Sequence, residues 1–203
     1  MKYGPGEDRN MTMRSPRLGR KDDLGLTLRL QAAMIQALAR EGFEAVRLEE
    51  IARAARTSKQ AIYRRWPGKD AFAVAALERG LSKVLPPVPE RANAARDLHR
   101  LVGAYLNGLA GDTGKAVIKI RACPGFESLV HQLEEEIRFH VRQCLIATPF
   151  EQDLSARAGL ILGLIWQVLY DRHLGPGGLE QAHLESAIYL VLGLVVPKAP
   201  AGI

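Results

Sequence analysis

Only two of the 203 residues are cysteine, Cys123 and Cys144. With no second pair, and no histidine at zinc spacing, neither a disulfide framework nor a structural metal site is expected. Reduced thiols in a reducing compartment are the simpler reading. The chain also lacks an apolar N-terminal stretch of the signal-peptide kind. It lacks any apolar run long enough to span a bilayer. The expected location is therefore the cytoplasm, with no membrane partner. No segment alternates convincingly with period two, so strands are not expected. A glycine-rich phosphate loop, which follows a strand, has nowhere to form. A catalytic constellation is missing too. The five histidines are scattered, and no serine or cysteine sits in a recognisable nucleophile setting. His131 and Glu135, and likewise Glu136 and His140, are one helical turn apart. That spacing can hold a metal, but no third ligand is evident and a solvated helix face accounts for it. The chain reads as a non-enzyme with no cofactor and no metal.

What is present is an apolar share normal for a globular protein with a real core, 47%, and an uneven charge. Residues 1–85 carry 17 Lys+Arg against 10 Asp+Glu, a net of +7, whereas residues 86–203 carry 11 against 12, a net of −1. The whole basic excess sits in one part of the chain. That favours a polyanionic partner for that part alone. A membrane surface is the rival, but the basic helices lack a broad Phe/Leu face to bury in lipid.

The stretch Gly42–Phe72 carries the most information. Leu48, Ile51, Ala52 and Ala55 share one helical face. Thr57-Ser58 interrupts the pattern, and Ser58 is a good N-cap for a following helix. Ile62 and Trp66 then fall one turn apart. This leaves Lys59, Gln60, Arg64 and Arg65 on outer faces. A short helix with an apolar inner edge and an outer edge of Lys, Gln and Arg suits a DNA major groove. Arg and Lys reach guanine O6 and N7 there, and Gln pairs with adenine.

With Gly42-Phe43, Glu50-Ile51-Ala52, Ala55, Ser58-Lys59, Ile62-Tyr63, Trp66, Lys69, Phe72 and Leu77 in ungapped register, the stretch resembles the DNA-binding domain of TetR/AcrR-type transcriptional regulators. The resemblance covers roughly fifty residues, and the remaining chain is similar only in its layout of helices. It implies that Ser58, Tyr63 and Lys69 touch phosphates and that Lys59, Gln60, Ala61 and Arg65 face base edges. Arg64 can do either. The plainer readings are a solvated face for the cations and a half-buried core position for Tyr63. Two positions depart from the family pattern. Val46 stands where a capping Thr is frequent, and Arg56 where Gly usually ends the helix. If Arg56 takes a positive φ, it costs about 1 kcal/mol there.

Elsewhere the punctuation is clear. Residues 1–23 read as a disordered basic arm, with Arg14, Arg17, Arg20 and Lys21 just ahead of the first helix. Such arms can enter a minor groove or simply aid solubility. Leu28, Ala32, Ile35, Leu38 and Ala39 predict a helix over 24–40, stopped by Gly42, and Phe43 reads as a plug for the small core. A further helix runs from about Lys69 to Leu85 and ends at Pro86-Pro87-Val88-Pro89. Helices are then expected over 94–110, 114–122, 126–147, 151–173 and 179–196. The expected architecture is all-α. A helix-turn-helix DNA-binding domain (24–68) is joined by a connecting helix (69–85) to a larger helical effector-binding and dimerisation domain (86–203).

Ala158–Tyr170 is apolar nearly all round, and Leu184–Val196 almost as much, so each needs cover on two sides. A twofold partner would supply it in a four-helix interface; a fully buried monomer core is the alternative. The residues assigned to that interface are Leu154, Ala158, Ile161, Leu162, Ile165, Leu169, Leu184, Ile188, Val191 and Leu192. A pocket for a small-molecule effector is expected between the middle helices, from Tyr105, Ile120, Phe126, Val130, His131, Phe139, Trp166 and Tyr170. Each of these also suits ordinary core packing. Arg121, Glu127 and Glu134 either orient a polar ligand or are surface charges. Together these readings point to a homodimeric, sequence-specific regulator of transcription. It would bind a near-palindromic duplex and act as a repressor released by an unidentified small molecule. The alternatives are a sequence-tolerant DNA-binding or co-regulator protein without an effector, and a helical small-molecule sensor with vestigial DNA heads.

Overall fold

Residues 19–23 contain no large apolar side chain, so the helical repeat is visible only from Leu24; the first helix nevertheless begins at Gly19. The computed structural model describes residues 19–88, 92–175 and 181–195, with the side chains of 19–23 and 181–182 set aside. Arg14 and Arg17 of the expected basic arm lie outside the described residues, while Arg20 and Lys21 fall within the first helix rather than ahead of it. The elements are α1 (Gly19–Glu41), α2 (Leu48–Ala54), α3 (Lys59–Tyr63), α4 (Lys69–Val84), α5 (Ala94–Gly108), α6 (Asp112–Ile120), α7 (Glu127–Leu145), α8 (Leu154–His173) and α9 (Gln181–Leu192). The fold is all-α, with no strand among the described residues. Nor is any described helix long and apolar enough to cross a membrane.

The inner face of α1 differs from the expected one. Leu30, Met34 and Leu38 are completely buried, whereas Ala32 is exposed and Leu28 and Ile35 are half-buried. The helix is held on several sides, by α2, α4 and α6, so more than one stripe is covered. Gly42 ends it at φ 80°, a conformation that costs glycine nothing, and its N–H closes on the Leu38 carbonyl at 2.9 Å. Phe43 is half-buried and does not fill the core of α1–α3. Its ring instead meets Phe126, at the start of α7, edge to face at 4.8 Å.

α6 is the wedge of the molecule, touching α1, α4 and α8. Behind it, α5, α7, α8 and α9 form a bundle. α5 starts from a double cap. The Asn93 side chain accepts the Arg96 N–H at 3.0 Å, and the buried Asp97 carboxylate accepts the N–H groups of Ala92 and Asn93 at 2.8 and 2.6 Å. Inside the bundle the Tyr105 hydroxyl and His140 Nδ1 lie 2.8 Å apart, both buried. Burial pushes the Tyr105 hydroxyl up and the His140 imidazole down, so each is held neutral. Burial likewise raises the Cys144 thiol to about 12. Both cysteines are free.

Candidate nucleic-acid interface

α2 ends in a Schellman turn. The Thr57 N–H reaches the Ala52 carbonyl at 2.9 Å and the Arg56 N–H reaches Arg53 at 3.1 Å. Arg56 itself sits at φ 55°, the left-handed conformation in which a side chain is strained. α3 follows at once. Ser58 is its N-cap, its Oγ accepting the Ala61 N–H at 3.3 Å. At the other end of α2 the cap falls on Arg47, without a side-chain bond. Val46 precedes it and is buried, as is Ile51, the positions of a hydrophobic staple.

The short helix turns Ala61 and Ile62 inward, so Lys59, Gln60, Tyr63 and Arg64 form its outer edge. Tyr63 is 49% exposed. Two expected contacts do not fit this edge. Ala61 is 2% exposed, and one turn on, Arg65 follows it inward. Arg65 Nε donates to Thr27 Oγ1 at 3.1 Å and its Nη1 to the Ala61 carbonyl at 2.8 Å, so the guanidinium ties α3 to α1. Positions 61, 62, 65 and 66 make one three-and-four stripe, and that stripe is the inner one. Lys69 is also engaged. Its Nζ donates to the carbonyls of Glu44 and Val46, each at 3.2 Å, and lies 4.5 Å over the Phe43 ring. It clamps the α1–α2 connection and has one N–H left for a phosphate.

Lys59 carries a partner that sequence reasoning missed. Its Nζ donates to Glu49 Oε1 at 2.6 Å, across from the first turn of α2. That hydrogen bond raises the Lys59 ammonium and lowers the Glu49 carboxyl. The signal was weak: a Glu ten residues upstream, with the fold needed to bring it close.

The family profile described as bacterial regulatory proteins, tetR family, matches residues 30–76, which span this helix pair. An uncharacterized HTH-type transcriptional regulator of Mycobacterium bovis is 36% identical over 175 residues, 84% of this chain and 77% of its own. A counterpart in Mycobacterium tuberculosis matches to the same extent. The chain belongs to the tetR family of bacterial regulatory proteins. Solved structures agree in fold. A transcriptional regulator from Rhodococcus sp. Rha1 superposes with a TM-score of 0.68 at 23% identity, covering 84% of this chain and 99% of that one. A tetR-family regulator from Streptomyces coelicolor gives 0.66 at 20%, covering 81% and 80%. The chain is a transcriptional regulator that binds DNA through a helix-turn-helix, and not an enzyme.

In the regulator's C-terminal bundle the expected pocket residues part company. Val130, His131, Trp166 and Tyr170 line one cleft of about 570 Å³, together with Arg121, Glu127 and Glu134. Tyr105, Ile120 and Phe126 are instead completely or almost completely buried core, and Phe139 lies exposed on α7 away from the cleft. Glu134 is the hub. Its Oε1 accepts Trp166 Nε1–H at 3.0 Å and Arg121 at 3.3 Å, and its Oε2 faces Arg138 at 3.4 Å. A second cleft of about 520 Å³ opens between α4 and α7 over Leu81, Leu85, Leu129 and Leu133. Among the described residues no three His, Cys, Asp or Glu side chains gather as metal ligands.

The apolar helices turn a different face outward from the one expected. Ala158, Ile161, Leu162, Ile165, Leu169, Leu184, Ile188 and Leu192 are buried within one protomer, and Leu154 and Val191 are half-buried against the same core. The eight buried ones are therefore not on the protomer's surface. The protomer's own bundle covers that arc first. The outward residues include Gly159, Leu160, Gly163 and Gln167 on α8, with Leu190 near the end of α9 and Gly193 and Val195 just beyond it. Leu160 is 60% exposed and Leu190 69%.

Proposed function

We propose that this regulator is a cytoplasmic homodimer that represses transcription from a near-palindromic operator and is released by a small-molecule effector. The observation that carries the reading is the outer edge of α3, where Lys59, Gln60, Tyr63 and Arg64 project together from an otherwise buried helix. Lys59 and Gln60 read base edges, Arg64 reads a base or a phosphate, and Tyr63 and Ser58 set the register on the backbone. Lys69 adds a phosphate contact while keeping its hold on the α1–α2 connection. The pairing partner is a second copy, seated on the outward residues of α8 and α9, since large exposed apolar side chains on neighbouring helices need cover. Residues 24–68 form the reading head and 86–203 the sensing and pairing part, with α4 between them. The halves also meet directly where α1 packs on α6.

Selection of bound duplexes from a random pool tests this. The expected product is a two-half-site sequence bound several orders of magnitude more tightly than random duplex. On that site Gln60→Ala costs about 1–3 kcal/mol and relaxes preference at one base pair per half-site. A pool that returns no common sequence, or a single unpaired half-site, rejects the reading.

A further inference from the structure

We propose that the cleft between α6, α7 and α8 takes a small organic monocarboxylate with an apolar body, held by Arg121, and that its occupancy reaches the DNA-binding half through the Phe126–Phe43 contact. This deepens, and rests on, the reading of the chain as an effector-responsive regulator.

The ligand class follows from counting donors and acceptors. The half-buried acceptor in the cleft, Glu134, is spent, while the exposed Glu127 uses one of its two oxygens. Glu134, only 17% exposed, is engaged by the Trp166 N–H, Arg121 and Arg138. Glu127 Oε2 accepts the Gly125 N–H at 2.9 Å. The donors are not spent. Arg121 has five N–H groups and makes one hydrogen bond, the long one to Glu134, while 47% of its side chain stays exposed. Its guanidinium lies 4.4 Å from the centre of the Trp166 ring, which fixes it as a platform facing the cleft. An arriving cation meets a Glu134 carboxylate already engaged and an aromatic face already covered by a cation, which leaves it only the solvent-exposed Glu127 at the rim. An arriving carboxylate meets a guanidinium fork with unused donors, the geometry in which Arg binds best. His131 and Tyr170 stand beside it as further polar contacts, and Ile118, Ala122 and Val130 supply an apolar wall. The volume suits a small ligand.

The route to the DNA-binding half is short. Arg121 is the first residue after α6 and Phe126 the last before α7, so one tight corner holds both. Phe126 meets Phe43 at 4.8 Å, and the Phe43 ring lies under Lys69 at the start of α4. At the other side of the corner, Lys119 Nζ donates to the Arg40 carbonyl at 2.6 Å, in the last turn of α1. The corner and the end of α6 thus grip the α1–α2 connection at Phe43 and the last turn of α1 at Arg40. A ligand that draws Arg121 off Glu134 shifts the corner, and the reading head settles into whichever position the ligand-bound corner favours.

The test uses the full chain, its selected duplex, and phenylacetate, benzoate and hexanoate as probes, each with its neutral amide. Phenethylamine and hexylamine serve as cationic counterparts. Calorimetry reads binding and fluorescence anisotropy reads duplex affinity. At least one acid is expected to bind about tenfold or more tightly than its amide and than the amines, and Arg121→Gln is expected to remove that advantage. Phe126→Leu, with Phe43→Leu as the second variant, is expected to keep acid binding while abolishing the acid's effect on duplex affinity. Amines binding as well as acids, none of the three acids binding, or undiminished acid binding in Arg121→Gln overturns the ligand class. An acid effect on the duplex that survives in both Phe variants overturns the route. Should a compound of another class release the duplex while the acids do not bind, the effector-responsive reading stands and this inference falls.

Discussion

Arg56 holds the left-handed turn between α2 and α3 at φ 55°, two residues before the N-cap of α3. A side chain in that conformation costs about 1 kcal/mol that glycine would not. The cation it carries is fully outside the core and adjacent to the basic edge of α3. Arg56→Gly is therefore expected to raise the melting temperature by roughly 2–4 °C and to weaken duplex binding at low salt. Thermal denaturation and duplex titration check the two halves separately, and no change in either removes Arg56 from the account. The neighbouring residues show what a single turn of helix conceals. The inner edge of α3 was legible through Ile62 and Trp66, and the N-cap through Ser58. Ala61 and Arg65 belong to that same inner stripe, but a five-residue helix is too short for its period to display it. The bond from Arg65 to Thr27 spans 38 positions in the chain, and no local pattern encodes it. The same holds for Glu49 and Lys59.

Among the elements, the crossing of α4 and α5 depends on one missing side chain. A Cβ at Gly108 would stand 2.1 Å from the Val84 carbonyl oxygen, which is rigid backbone. Gly108→Ala must push the end of α4 away from α5 and is expected to cost about 1–3 kcal/mol, read as a lower urea midpoint with an unchanged slope. The Tyr105–His140 pair joins α5 to α7 and makes stability depend on pH. Burial lowers the His140 pKa in the fold below its ordinary 6.5. The unfolded chain then binds the proton more readily, so this contribution is complete above about pH 6.5 and is lost as pH falls through the folded value. Urea midpoints should drop between pH 7.5 and 5.5, and His140→Asn should flatten that drop; an equal drop in both proteins assigns it to other groups. Element order was readable because proline and glycine separate nearly every helix, most clearly at Pro86-Pro87. The inner face of α1 was not. A helix clasped by α2, α4 and α6 buries several stripes, and one sequence period cannot say which is deepest. The cleft was half-legible for a similar reason. Val130, His131, Trp166 and Tyr170 line one cleft, but Tyr105 and Phe126 are core, because aromatic residues suit a pocket wall and a packed interior equally well.

At the scale of the whole molecule, the proposed pairing turns on which arc of α8 a second copy would meet. Apolar residues all round the helix announce two covered sides without ranking them. The fold ranks them: the arc through Ile161, Ile165 and Leu169 is used within the protomer, which leaves Gly159, Leu160 and Gly163 outward. A Cβ at either glycine would meet nothing within 4 Å, so the backbone there lies open to close approach by another helix. Leu160 stands between them, and Leu190 adds a second exposed apolar side chain from α9. Burying Leu160 against a partner contributes about 1.5–3 kcal/mol, and a twofold interface repeats it. Leu160→Glu places two like charges in that seam without touching the core. It is expected to yield a helical monomer with an unchanged circular dichroism spectrum. Sedimentation would report half the wild-type mass, and the selected duplex would be bound far more weakly because two half-sites no longer share one protein. Leu162→Glu is the contrasting variant. Its side chain faces the protomer's own core, so a charge there should lower the melting temperature sharply rather than separate copies. If Leu160→Glu sediments as a dimer with wild-type operator affinity, the pairing face lies elsewhere and the spacing of the two reading heads must be set by other elements.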